Sequence, residues 1–141
     1  MGDILLARDP FRLAIYQALR AAESAGKALT QAANSNDLPS ECRRDALGLI
    51  REIDAGTIFG AIDITLVRNL LDGLQEPIRR ATRSHYVHDE HDMSGGHYEA
   101  VASSQGVELM IVRSRLEELI EALSVVRCLL RAEQIADELR S

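Results

Sequence analysis

Apolar residues recur along most of the chain at alternating spacings of three and four, the period of helices that pack against other helices. Asp9-Pro10 predicts the start of the first helix, because Asp can cap a helix and Pro is tolerated at its first position. Asn34-Ser35-Asn36-Asp37 predicts the turn that ends it. The seam between them is rich in Ala, which favours close helix approach: Phe11, Ile15, Ala18, Ala22, Ala25, Leu29, Ala32.

Two further seams predict a second and a third helix. The second follows Leu38-Pro39 and is formed by Cys42, Ala46, Leu49 and Ile53, with a break expected over residues 54–57. Pro77 is expected to kink the third helix or end it near Glu76, because proline removes a backbone donor. The seam of the third helix repeats every fourth residue: Ile58, Ile62, Leu66, Leu70, Leu74.

The last helix is predicted from about His97 to Leu139, roughly 60 Å at about 1.5 Å per residue. Its main seam is formed by Leu109, Val112, Leu116, Leu119, Leu123, Val126 and Leu130. The seam is interrupted at Glu133, and Ile135 and Leu139 continue the apolar pattern on a shifted stripe. A second apolar face lies opposite: Ile111, Ala122, Val125, Leu129. Either the helix is central in its own bundle or a second copy covers this face. We favour the second copy, because two-fold dimers are the commonest oligomers.

These patterns together predict an all-α protein. No stretch shows the alternation of apolar and polar residues that is typical of a strand. We expect a helical bundle of about four helices with a long C-terminal helix, forming a single domain over residues 1–141 and dimerising through helix faces.

Composition narrows the function classes. The formal net charge of −6 argues against a protein whose main role is to bind nucleic acid or an anionic membrane. No apolar run approaches the ~20 residues that a bilayer requires, and residues 1–9 lack a basic leader, so we expect a cytoplasmic protein. Cys42 and Cys128 are expected to be free thiols buried as small hydrophobes.

One segment carries suggestive chemistry. The four histidines His85, His88, His91 and His97 are interspersed with acids. Imidazole and carboxylate groups together suit a divalent transition metal. If residues 85–92 were helical, one face would hold His85, His88, Asp89 and Asp92. His91 would fall off that face and could serve a neighbouring chain, and His97 is a further candidate ligand. A solvated helix end explains the same residues, and we favour that interpretation.

The neighbouring run Arg79-Arg80-Ala81-Thr82-Arg83 could hold a phosphate or an acidic peptide. We expect instead that these arginines pair with acids such as Glu76, Asp72 or Asp89.

The sequence therefore favours a non-enzymatic, self-associating protein with a regulatory or adaptor role, which acts through protein–protein contacts and needs no cofactor. Its interface residues are expected to be Ile111, Ala122, Val125 and Leu129. The alternative is a metal-binding bundle, either a sensor or a small metalloenzyme, that uses the His85–His97 segment. A third interpretation is an apolar ligand pocket between helices.

Overall fold

A computed structural model describes residues 2–55, 64–87 and 95–140, with the backbone alone at 2–9, 83–87 and 97–102. Within these ranges the chain forms four helices and one two-stranded antiparallel hairpin. The helices are α1 (Gly2–Asn34), α2 (Ser40–Asp54), α3 (Ile64–Ala81) and α4 (Ser104–Arg140), and the strands are β1 (Thr82–Val87) and β2 (His97–Ala102). The all-α bundle of about four helices with a long C-terminal helix is confirmed, and the hairpin is an addition that sequence analysis missed.

The helices form a closed ring around an apolar core. Each helix packs against the next along the chain, and α4 packs against both α3 and α1. Among the described residues, no polar or charged residue is buried in this core. The buried positions follow the predicted seams: Ala18, Ala22, Ala25, Leu29 and Ala32 of α1; Cys42, Ala46 and Leu49 of α2; Leu70 and Leu74 of α3; Leu109, Val112, Leu116, Leu119, Leu123 and Val126 of α4.

The first helix ends in the predicted turn. The Asp37 amide donates to the Ala32 carbonyl at 3.0 Å, and the Asn36 amide donates to the Ala33 carbonyl at 3.3 Å. Asn36 has φ 58°, the left-handed conformation that Asn tolerates better than most residues. This arrangement is a Schellman motif, which satisfies the last carbonyls of α1 and turns the chain towards α2.

The predicted helix start at Asp9-Pro10 was wrong, and so was the predicted end of the third helix near Glu76. The first helix starts at Gly2 and contains Pro10, and α3 continues through a buried Pro77 to Ala81. A proline removes one N–H donor and strains the turn before it, but packing can hold the helix together across the defect. Pro77 lies among buried neighbours on α3, including Leu74 and Ile78.

The predicted start of the last helix at His97 was also wrong, because residues 97–102 pair with β1. The helix begins at Ser104, where the Ser103 hydroxyl accepts a hydrogen bond from the Gly106 amide at 3.1 Å as an N-cap. The Ser103 amide also donates to the Ala81 carbonyl at 2.9 Å, so the base of the hairpin is tied to the end of α3. The predicted residues Ile58 and Ile62 lie outside the described residues.

Within the described ranges, none of the helices has the length and apolarity to cross a bilayer.

Candidate functional site

The two long helices, α1 and α4, run antiparallel and are about twice as long as the two short helices, α2 and α3. Gln105, near the start of α4, donates to the Asp37 carbonyl just beyond α1, whereas α4 residues 118–125 lie beside α1 residues 13–24. At about 1.5 Å per residue, α1 and α4 are roughly 50 and 55 Å long, against roughly 22 and 27 Å for α2 and α3. The described parts of α2 and α3 therefore leave one half of the α1–α4 pair without helical cover. We call this half the extension.

A groove of about 600 Å³ runs between α1 and α4 at the start of the extension. Its apolar lining comes from both helices: Leu13, Tyr16, Ala21, Ala122, Val125. Leu13 and Tyr16 are each 56% exposed and Val125 is 45% exposed, which is unusual for such side chains placed side by side. We call this feature the extension groove.

The groove also carries charge of both signs, divided between its walls. Arg20 on α1 lies over the Tyr16 ring, with its guanidinium carbon 5.7 Å from the ring centroid. Glu118 and Glu121 stand on the α4 wall, and Arg115 Nη1 approaches a Glu118 carboxylate oxygen at 3.3 Å. One wall therefore offers a cation and the other offers carboxylates.

Beyond the groove, the apolar pattern of α4 moves from the core to the surface. The core seam ends at Val126; Leu130, its next member, is 40% exposed, and Glu133 and Asp137 follow it. A second set with spacings of three and four is exposed along its whole length, and we call it the outer stripe: Val125, Cys128, Ala132, Ile135, Leu139. Ile135 is 47% and Leu139 is 83% exposed. A solvated helix face seldom carries such a run.

The predicted interface residues divide into two groups. Ile111 and Val125 are 43% and 45% exposed, so the described part of their own chain does not bury them. Ala122 and Leu129 are partly buried and pack against the core. Sequence analysis missed the α1 wall, although the spacing of Leu13 and Tyr16 outside the Ala-rich seam could have indicated it.

Two of the residues predicted to bind metal lie in the hairpin. His85 is in β1 and His97 is in β2, so the helical geometry assumed for position 85 is wrong. His88, Asp89, His91 and Asp92 lie outside the described residues, so the predicted set remains untested. Elsewhere in the described part of the chain, no three His, Cys, Asp or Glu residues gather as a metal site.

Arg79 and Arg80 pair with acids, as expected, and the side chain of Arg83 lies outside the described part of the chain. Arg79 contacts Glu76 through two hydrogen bonds, of 2.6 and 3.1 Å. Arg80 Nη2 lies 2.7 Å from a Glu41 carboxylate oxygen, a partner that sequence analysis did not anticipate. The hydrogen bonds from the Glu41 backbone amide and from Arg80 lower the pKa of Glu41. The Arg79–Glu76 pair lies within α3, whereas the Arg80–Glu41 pair connects α3 to α2.

Both cysteines are free thiols, as predicted, but only one is buried. Cys42 Sγ donates to the Gly73 carbonyl at 3.3 Å, and burial raises the pKa of its thiol. Cys128 is exposed on the outer stripe, which corrects the expectation that both cysteines lie in the core.

Comparison with protein-family models, with curated proteins and with solved structures finds no match to this chain.

Proposed function

We propose that the protein is a non-enzymatic, self-associating helical bundle with a regulatory or adaptor role, and that the extension is its working surface. The observation that carries this proposal is the outer stripe, an exposed apolar run with the spacing of a helix seam. A helix that presents such a stripe gains free energy by packing it against another helix. The described part of the chain supplies no further helix there.

The charges of the extension groove favour a second copy as the occupant. A two-fold axis that runs along the groove, parallel to its helices, lays the α1 wall of one copy against the α4 wall of the other, and each contact then occurs twice. Arg20 of one copy would meet the Glu118 and Glu121 region of its partner, so that opposite charges face each other. Such a surface is complementary to itself.

Mass measurement on matched variants tests this proposal. Val125 and Val107 lie on the same helix and are 45% and 49% exposed, but only Val125 belongs to the groove and the outer stripe. We expect the wild-type protein at micromolar concentration to exceed the 15.6 kDa mass of one chain in light scattering. Val125→Glu should lower the mass towards that value, because it places a charge in the apolar contact, whereas Val107→Glu should not.

A wild-type mass of 15.6 kDa across that concentration range would refute self-association. Equal loss of assembly in both variants would place the contact elsewhere. A small apolar molecule in the groove would leave the protein monomeric and would protect it against thermal unfolding without changing its mass. Circular dichroism of each variant checks that the helices remain intact.

A cytoplasmic location agrees with this proposal, and attachment of a fluorescent tag to the full chain would test it in cells.

A further inference from the structure

The hairpin register brings three residues of metal-binding types onto one face of a two-stranded ribbon. Position 85 pairs with position 99, and position 87 pairs with position 97. Successive residues of a strand alternate between faces, and residues directly opposite each other share a face. Positions 85, 87, 97 and 99 therefore share one face, and the residues there are His85, Val87, His97 and Glu99.

The spacing of these positions suits a single ion. Opposed residues in an antiparallel pair have Cβ atoms about 4.5–5.5 Å apart, and diagonal neighbours are about 7–8 Å apart. His85 and Glu99 are opposed, His85 and His97 are diagonal, and His97 and Glu99 are two residues apart on β2. Such separations are within the reach of long side chains on neighbouring strands. Two imidazoles and one carboxylate also form a recognised donor set for divalent transition metals, with positions left open for water.

We propose that the ribbon face bearing His85, His97 and Glu99 binds one divalent transition-metal ion, of the class of Zn²⁺ or Ni²⁺. This ligand set differs from the helical one that the sequence suggested, because it takes His97 and Glu99 from the second strand. The proposed metal site depends on the strand register and not on the extension, so its test is independent of the test for self-association.

An ion bound at this face would affect the stability of the hairpin. A two-stranded hairpin is only marginally stable by its own contacts. The base of this hairpin is held by the hydrogen bond from the Ser103 amide to the Ala81 carbonyl, and positions 85, 97 and 99 lie further out along the ribbon. An ion bound across β1 and β2 would join the strands there and stabilise their pairing.

Calorimetric titration of Zn²⁺ into protein without a histidine tag tests the proposal. We expect one submicromolar site in the wild type. His85→Ala and His97→Ala should each weaken Zn²⁺ binding by at least about tenfold, because each removes a proposed ligand and even outer-shell changes cost that much. Glu99→Gln should weaken it as well. His88→Ala is the matched control, because His88 belongs only to the helical ligand set, and it should leave the affinity within about threefold of wild type.

Absence of submicromolar binding in the wild type would overturn the proposal. Equal affinity in the wild type and in His97→Ala would also overturn it, and loss in His88→Ala with retention in His97→Ala would favour the other ligand set. Because positions 85 and 97 lie outside the helices, circular dichroism should show unchanged helicity in these variants. Histidine NMR signals provide a second readout, since those of His85 and His97 should shift on addition of one equivalent of Zn²⁺.

Discussion

Gly106 lies against the backbone of Ala81 at the junction of α3, the hairpin and α4. A Cβ atom on Gly106 would come within 2.9 Å of the Ala81 carbonyl oxygen and 3.2 Å of the Ala81 Cβ. The same carbonyl accepts the Ser103 amide, and the Gly106 amide donates to the Ser103 hydroxyl. The absence of a side chain at position 106 therefore allows the hairpin base and the first turn of α4 to close together.

This contact predicts that Gly106→Ala destabilises the protein. The added methyl group meets a backbone oxygen that cannot move without shifting a helix, so we expect a loss of about 1–3 kcal/mol in the free energy of unfolding. Urea denaturation measures it.

Gly48→Ala is the control for that substitution. Gly48 lies inside α2, and its Cβ would be 3.8 Å from Leu66 Cδ2 on α3, which is an ordinary van der Waals contact. This variant should gain up to about 1 kcal/mol from helix propensity. A Gly106→Ala variant as stable as Gly48→Ala would contradict the close approach.

Sequence periodicity predicted the core well, because helix seams are local. Ala18 to Ala32 of α1 and Leu109 to Val126 of α4 are buried at the expected spacings. The hairpin was not predictable in the same way. Its pairing joins residues such as Arg83 and Val101, which are far apart in sequence, so no window of neighbouring residues contains the signal.

The same distinction between local patterns and long-range contacts decided which residues of the candidate sites could be predicted from the sequence. Val125 was predicted as an interface residue because it belongs to a second apolar face that is visible in the α4 sequence alone. The α1 wall at Leu13 and Tyr16 becomes visible only when the position of α1 beside α4 is known. The residues predicted to bind metal were selected by type, and the helical geometry assumed for His85 was wrong because position 85 is in a strand. The pairing of position 85 with Glu99 follows only from the register.

The two thiols are expected to differ in reactivity. Cys42 is buried with a raised pKa, mainly through burial and also through the nearby Glu41 and Asp45 carboxylates, so little of it is thiolate near neutral pH. Cys128 is exposed. Iodoacetamide followed by mass spectrometry should modify Cys128 first and Cys42 only after denaturant is added. Labelling of Cys42 as fast as Cys128 in native protein would contradict the packing of α2 against α3.

The ion pair with Arg80 is expected to affect the pKa of Glu41. The Glu41 backbone amide and Arg80 both lower the pKa of this carboxyl in the folded state. The pair therefore contributes to stability above the usual Glu pKa, and that contribution is lost as the pH falls through the lowered value. Carbon-13 NMR of the glutamate carboxyls should show a higher Glu41 pKa in Arg80→Gln, although the backbone bond keeps part of the shift.

Arg79→Gln is the matched variant for that titration. The Arg79 side chain is the main cause of the lowered pKa of Glu76, so its loss should raise the Glu76 pKa and leave Glu41 unchanged. An unchanged Glu41 pKa in Arg80→Gln would show that the contact between α2 and α3 does not persist in solution.

Charge reversal across the extension groove distinguishes a second copy from any other partner. In the two-fold arrangement, Arg20 of one copy faces the Glu121 region of the other. Arg20→Glu alone sets carboxylates against carboxylates, and Glu121→Arg alone sets guanidinium groups against each other. Each variant should self-associate about fivefold to tenfold more weakly in sedimentation experiments, since exposed pairs are worth about 0.2–1 kcal/mol and each contact occurs twice.

An equimolar mixture of the two variants should recover the lost affinity. In the mixed dimer, one copy carries carboxylates at both positions and the other carries guanidinium groups at both, so opposite charges meet at each contact. Added salt should reduce this recovery, since screening weakens exposed charge pairs. Lys27→Glu serves as the control: Lys27 lies on α1 outside the extension groove, where it pairs with Glu23 at 3.3 Å, so its reversal should leave the association constant unchanged. A mixture that associates no better than either variant alone would show that the two walls do not meet across a two-fold axis, and the outer stripe would then have to be covered in another arrangement.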